Sequence, residues 1–277
     1  MNNKGIVGQI WIYAGLTVVS LGMLFPFFWM VTTSLKPESA VFQFPPQWLP
    51  NPPVWQNYAD IFTKMPFGSY FFNSVYIAVI VTAGTGLVAA MAGYSFAKMQ
   101  YPLRNPIFLI LLSGMMIPTE VTAIPLFTWM SELGWVDTHI PLILPPMLGA
   151  GAIFGAFIVR QFFITIPDEL DEAAKLDGCS PIQTFRYIML PLAVPALATV
   201  SIFTFLDRWN EFFDPLIYLN TKELFTLPIG LALLTTDAGV DWPLLLAAST
   251  VATLPLLIVF FMAQNKFVEG ISNTGLK

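Results

Sequence analysis

The stretch 166-IPDELDEAAKLDGCSPIQTFRYIMLP-191 decides the fold, because it is the longest highly polar passage in a chain that is otherwise mostly apolar. Its first half concentrates acids at Asp168, Glu169, Asp171, Glu172 and Asp177, directly before Gly178. Carboxylates in a first helical turn face the positive end of the helix dipole, and a glycine suits the left-handed residue that ends a helix. Pro167 fits the first helical position, where its missing N–H is no loss. Ser180, Pro181 and Gln183 then repeat a start signal, a serine cap with glutamine three residues on. The second helix should run to about Leu190 and stop at Pro191. The pattern therefore predicts a short, well-capped helical hairpin, with Ala173 and Ala174 leaving one side shallow enough for another protein to approach.

Outward from this hairpin the chain changes character. Of 277 residues 56% are hydrophobic and only 10% charged. A soluble domain carries roughly 25% charged residues, so the composition belongs to the membrane class. The single cysteine and single histidine exclude an internal disulfide, a Cys-cluster metal site and His-based triad chemistry. Six apolar runs approach the roughly 20 residues a membrane helix needs. They are residues 10–33, 69–97, 107–130, 140–163, 193–219 and 243–263. This divides the chain into a first segment and span (1–33), a Pro-rich loop (34–68), a core of five spans (69–263) containing the hairpin (166–191), and a polar tail (264–277). Prolines at 37, 45, 46, 50, 52, 53 and 66 make the loop an extended arm with room for one short helix, 55–62. Gly86/Ala90, Ala89/Gly93 and Gly151/Gly155 have the small-xxx-small spacing that lets membrane helices approach closely.

Orientation follows from basic residues in the flanks. Lys4, Lys98, Arg104, Arg160, Lys175, Arg186, Lys266 and Lys277 fall on one side, against Lys36, Lys64, Arg208 and Lys222 on the other. The first side is expected to be cytoplasmic, with both termini and the hairpin.

The hairpin also carries a spacing. Glu172-Ala173-Ala174, Gly178, and Ile188-x-Leu190-Pro191 match EAA-x3-G-x9-I-x-L-P. With this motif the chain resembles the membrane permease subunits of ABC importers. Ser34-Leu35-Lys36-Pro37, Asn57-Tyr58, Asn73-Ser74, Met116-Ile117-Pro118, Trp209-Asn210 and Phe267-Val268-x-Gly270 are similar to the second permease of the carbohydrate-uptake branch. The tail Thr274-Gly275-Leu276-Lys277 and the charges Asp207-Arg208 depart from that branch. The resemblance implies an all-α polytopic membrane protein with six transmembrane helices, the ABC importer type I permease fold, in a bacterial or archaeal plasma membrane. It implies a heterodimer with a second homologous permease subunit, two ATPase subunits that bind ATP and Mg2+, and an extracytoplasmic solute-binding protein. Lipid would surround the spans, and no nucleic acid is involved. Glu172, Ala173, Ala174, Gly178, Ile188, Leu190 and Pro191 would couple to the ATPase. The chain has no G-x-x-x-x-G-K-[ST] loop, so it is expected to be no enzyme and to hold no cofactor of its own.

Charges inside spans mark a substrate path or a structural pair. Counting about 1.5 Å per residue from the cytoplasmic ends puts Glu120 about 20 Å and Asp207 about 21 Å up. Glu120, Asp207, Arg208, Trp209, Asn210 and Glu211 are therefore candidates to line a cavity for a polyhydroxylated solute. The alternative is an ion pair of Arg208 with Glu211 or Glu120 that only holds helices together. Two further readings stay open: an importer of a non-sugar solute such as a polyol phosphate, and a secondary transporter.

Overall fold

The computed structural model describes residues 6–236 and 239–274, with side chains described from 8 to 262 and at 264, apart from 236–238. In chain order its helices are α1 (Ile6–Ser34), α2 (Glu38–Val41), α3 (Gln56–Thr63), α4 (Phe67–Lys98), α5 (Arg104–Gly114) and α6 (Thr119–Glu132). Then come α7 (Ile140–Leu148), α8 (Ala150–Thr165), α9 (Glu169–Leu176), α10 (Pro181–Thr184), a π-helical turn (Phe185–Met189), α11 (Leu190–Leu192) and α12 (Val194–Trp209). The chain continues with α13 (Phe213–Tyr218), a 3-10 turn (Lys222–Leu224), α14 (Leu227–Ala232), a two-stranded antiparallel ribbon of β1 (Thr235–Thr236) and β2 (Gly239–Val240), and α15 (Trp242–Thr274). Lys4, Lys277 and the side chains of Lys266 and of the tail motif Phe267-Val268-x-Gly270 lie outside the described residues.

Among the described residues, four stretches are long and apolar enough to cross a membrane: Gly8–Ser34, Phe67–Lys98, Ile140–Thr165 and Trp242–Met262. Six result if α5 with α6, and Pro181–Leu192 with α12, each count as one broken span. The expected third span, 107–130, is a broken one, since α5 and α6 meet at 94° around Pro118. Proline cannot donate to the preceding turn and its ring clashes with the carbonyl four residues back. The expected fifth span is also divided. The 74° bend at Ala193 marks its start, and within 193–219 α12 ends at Trp209, before α13.

The chain forms two compact units, Met1–Phe67 with Gly230–Leu254, and Gly68–Ile229 with Pro255–Lys277. In the first, the Pro-rich arm folds back on the end of α1. Asn57 Nδ2 donates to the carbonyls of Ser34 at 2.8 Å and Lys36 at 3.0 Å, and the Ser34 and Tyr58 hydroxyls are 2.7 Å apart. The Lys36 side chain is buried over the Trp29 ring, 4.1 Å from its centroid, and donates to Thr33 Oγ1. Trp48 closes an aromatic group with Phe25 and Trp29. The expected short helix appears as α3.

In the second unit, α4, α8 and α12 pack through small residues. A methyl on Gly155 would lie 2.8 Å from Ala89 Cβ, and one on Gly93 would lie 2.8 Å from Val159 Cβ. Two small-residue pairs of the sequence therefore interlock with one another's helices. Around them Ala89, Tyr94, Val159, Phe163, Met189, Ala193, Ala196 and Val200 form one buried cluster. A second cluster joins Ile77, Val81, Met130, Leu142, Tyr218 and Leu219. Beside it, polar side chains hold the segment after α13. Asn73 Nδ2 donates to the Glu223 and Phe225 carbonyls, the Leu227 amide donates to Ser74 Oγ, and the Asn220 and Thr221 amides donate to Asp137 Oδ1. The Thr221 hydroxyl and amide, with the Asn220 amide, hold the Asp137 carboxyl below the usual carboxylate range. The Asn73-Ser74 pair singled out in the sequence is thus a clasp for this segment.

Candidate functional site

The hairpin begins with a correction. Pro167 is not the first helical residue; α9 starts at Glu169 with Asp168 at its N-cap position. The Asp168 side chain makes no cap bond. It turns instead to Lys98 at the end of α4, with Nζ to Oδ1 at 2.6 Å. Lys98 Nζ also donates to the Ile166 carbonyl at 2.7 Å and lies 3.6 Å from Asp171 Oδ2, and its side chain is nearly buried. With Lys98 the carboxylate meets a full positive charge as well as a donor, which makes a short charge-assisted bond. Lys98 is thus the residue that sequence reasoning passed over, because its partners lie some 70 positions away.

Gly178 has φ +80°, and the helix closes as expected: the Cys179 amide donates to the Ala174 carbonyl and the Gly178 amide to that of Lys175. These are the two bonds of a Schellman ending. Ser180 and Gln183 make both bonds of the capping box. The second helix does not stop at Pro191. It widens into the π-helical turn at Phe185–Met189, runs through Pro191 and breaks at Ala193. The wider turn leaves room for a ring that has no N–H to donate.

The hairpin has two faces. Ala174, Thr184 and Met189 are buried, and Phe185 packs on Tyr94 at a centroid distance of 5.2 Å. Glu172, Ala173, Gly178 and Pro191 are exposed, and Ile188 and Leu190 are half-buried. The outward face also carries Leu176, 89% exposed, Ile182, 76% exposed, and Tyr187, 68% exposed. Sequence reasoning missed these three; their signal was large apolar side chains within an otherwise polar hairpin.

Lys98 holds the Asp168 carboxyl below its ordinary range, chiefly by hydrogen bonding and then by charge. A carboxyl with a depressed folded pKa contributes stability above its unfolded value, about pH 3.9, and loses it as pH falls through the folded value. Thermal melts of the parent and Asp168→Asn proteins should therefore differ near neutrality and converge in acid. A gap that persists or widens below that range contradicts the pairing.

The second candidate lies wholly within the Gly68–Ile229 unit. Residues of α4 to α8, α12 and α13 line an open cavity of about 690 Å³, within the roughly 300–1,000 Å³ of small-molecule sites. The break at Pro118 turns the first residues of α6 toward it, so Thr119, Glu120 and Thr122 line it beside Asp207, Arg208 and Glu211 from the end of α12. Four of the residues marked in the sequence thus meet in one cavity. Asp214, Thr85, Thr204 and Tyr218 join them.

Arg208 Nη2 lies 2.7 Å from Asp207 Oδ2 and 3.2 Å from Glu211 Oε2, and Nη1 lies 3.3 Å from Asp214 Oδ2. Among the described residues it pairs with these three and not with Glu120. Glu211 Oε1 accepts from the Phe213 and Asp214 amides, which opens α13. Trp209 and Asn210 do not line the cavity. Trp209 is buried against Phe71 and Phe205, and Asn210 Nδ2 donates to the Leu206 carbonyl where α12 ends. Aromatic faces at the cavity come instead from Phe154 and Phe203, an edge-on pair 6.1 Å apart.

Residues 84–273 match the family described as binding-protein-dependent transport system inner membrane component. The chain is 34% identical over 270 residues to the arabinooligosaccharides transport system permease protein AraQ of Halalkalibacterium halodurans, covering 95% of this chain and 94% of that protein. It is 32% identical to the sn-glycerol-3-phosphate transport system permease protein UgpE of Pectobacterium atrosepticum, covering 98% and 97%. In fold it matches a chain in the crystal structure of a bacterial ABC transporter involved in the import of the acidic polysaccharide alginate. There the TM-score is 0.82 at 22% identity, over 96% of this chain and 99% of the other. The fold is that of a type I importer permease, and a permease component is not itself an enzyme. The chain belongs to the inner membrane components of binding-protein-dependent transport systems, the multi-pass permeases of ABC importers.

Proposed function

We propose that this chain forms half of the translocation path for a sugar or sugar-like solute, in a heterodimer with a second homologous permease. Two ATPase subunits would drive it, and an extracytoplasmic binding protein would deliver the solute. The basic residues Lys98, Arg104, Arg160, Lys175 and Arg186 support a cytoplasmic hairpin, and both termini with it. Glu172, Ala173, Ala174, Gly178, Ile188, Leu190 and Pro191 would then form the ATPase-coupling element. The relatives' names support a carbohydrate-type solute, since they include an arabinooligosaccharide permease as well as a glycerol phosphate permease.

One observation carries the solute path: Glu120 of α6 and Asp207, Arg208 and Glu211 of the α12 end line the same cavity. Carboxylates accept from sugar hydroxyls, and the rings of Phe154 and Phe203 suit a sugar's apolar face. Trp209 and Asn210 would act one layer out, as packing and helix-end support.

The test is ATP-driven uptake in proteoliposomes of the reconstituted importer, using its own binding protein loaded with the sugar that protein binds. A hydrogen bond to a charged group contributes about 1.5–3 kcal/mol, so Glu120→Gln and Asp207→Asn should each reduce uptake about ten-fold or more. Unchanged uptake in both variants at parent expression removes the cavity from the path. Uptake that continues without ATP or without the ATPase subunits removes the importer reading itself.

A further inference from the structure

We infer that the cavity sorts solutes by charge, admitting uncharged or cationic glycosides and turning anionic ones away. This deepens the reading of the cavity as a solute path and rests on it. Four carboxylates, Glu120, Asp207, Glu211 and Asp214, line the space with a single guanidinium, Arg208. That guanidinium is already engaged. Its Nε and Nη2 donate to Asp207 at 2.9 and 2.7 Å, Nη2 also to Glu211, and Nη1 to Asp214. Its side chain is only 14% exposed. An incoming phosphate or carboxylate recognises arginine through two parallel N–H bonds. To obtain them here it would have to displace acidic side chains, which would then repel it at close range.

A second observation is independent of the acids. Among the described residues the hydroxyls of Thr85 and Tyr218 are buried and have no hydrogen-bond partner, and both residues line the same cavity. Buried polar groups are normally paired, and a hydroxyl both donates and accepts. These groups, on α4 and α13, place uncharged polar atoms just beneath the cavity surface, while the carboxylates at that surface accept from a sugar hydroxyl. A hydroxyl-rich neutral ring donates to the acids, whereas an anion leaves the acids opposed.

Charge-selective thiol labelling reads the sign of the field without relying on which sugar the binding protein carries. The complete transporter is assembled in lipid nanodiscs in a Cys179→Ser background, with other reactive cysteines of the partners replaced. Thr204→Cys is then introduced, a cavity position on α12 one turn before Arg208. Its rates with trimethylammonium-ethyl and sulfonatoethyl methanethiosulfonate are each divided by the rate with a small free thiol. The ratio of the two cancels the ionisation of the cysteine itself.

One net charge about 10 Å away at an effective dielectric near 20 changes local reagent concentration by about ten-fold. The cationic reagent should therefore be favoured at least about ten-fold, and Asp207→Asn with Asp214→Asn should shrink that preference. A normalised ratio at or below unity overturns the charge inference and leaves the solute path standing. A cysteine that reacts with neither reagent overturns both, because the cavity is then closed to water in the assembled transporter.

Discussion

Leu176→Glu is expected to lower ATP-driven uptake by about ten-fold or more while leaving the chain's own thermal stability unchanged. Leu176 closes α9 and is 89% exposed, so it makes little contact within the chain that the variant can lose. Around it the hairpin is strongly acidic, and a large apolar side chain held in water there has a use only against a partner. Burying a leucine contributes about 1.5–3 kcal/mol, and a carboxylate forced into the same contact adds a desolvation cost. A tenfold change in binding corresponds to about 1.4 kcal/mol, so loss of the leucine alone reaches the expected effect. Co-purification of the ATPase subunits and uptake in proteoliposomes should fall together, and Ile182→Glu should behave alike. A Leu176→Glu protein that still captures its ATPase and transports at the parent rate would show that the partner contacts another face.

Gly155→Leu acts on the opposite end of the problem, the packing beneath the hairpin. The added Cβ alone would lie 2.8 Å from Ala89 Cβ and 2.9 Å from Val200 Cγ1, closer than real Cβ contacts come. The remaining leucine atoms have nowhere to go except by moving α4 or α12 away from α8. Overpacking of this kind typically costs about 1–3 kcal/mol and occasionally more. At about 2–4 °C per kcal/mol for a chain of this size, the melting temperature should fall by roughly 2–12 °C. Gly151→Ala and Gly86→Ala are the controls. A methyl at either meets nothing within 4 Å, and alanine is the better helix former. Equal losses at all of these positions would mean that the close approach at Gly155 contributes nothing special.

What the sequence disclosed was set by how local each signal is. The hairpin was legible because capping acts over a few residues: Gly178 takes its left-handed conformation, and Ser180 and Gln183 close their box. The prolines were legible as residues but not in their effect. Pro26 and Pro255 lie inside unbroken helices, whereas α5 and α6 part at Pro118. The outcome depends on which neighbours satisfy the freed carbonyls, and that is a tertiary matter. Counting residues brought Glu120 and Asp207 to a common height, but height says nothing of direction around a helix. So Trp209, apolar enough to stack on a sugar, faces Phe71 and Phe205 instead, while Thr85 and Tyr218, neither of them charged, line the cavity from α4 and α13. Lys98 was visible only as a basic residue in a connector until its partners Asp168 and Asp171 were placed beside it.

The clasp between Ser34–Lys36 and Asn57–Tyr58 bears on how the extended arm can be exchanged among relatives. The Asn57 amide reads two backbone carbonyls, Tyr58 meets a serine hydroxyl, and the Val54 amide donates to the Leu35 carbonyl. Because carbonyls are common to every residue, the Asn57 half of the clasp tolerates foreign side chains at the end of α1, but the Tyr58 half does not. A chimaera boundary drawn between Lys36 and Asn57 therefore divides a single joint between two parents. One drawn before Phe25 or after Thr63 transfers it whole, with the contacts of Trp48 and Lys36 to Phe25 and Trp29, and the arm travels as a module.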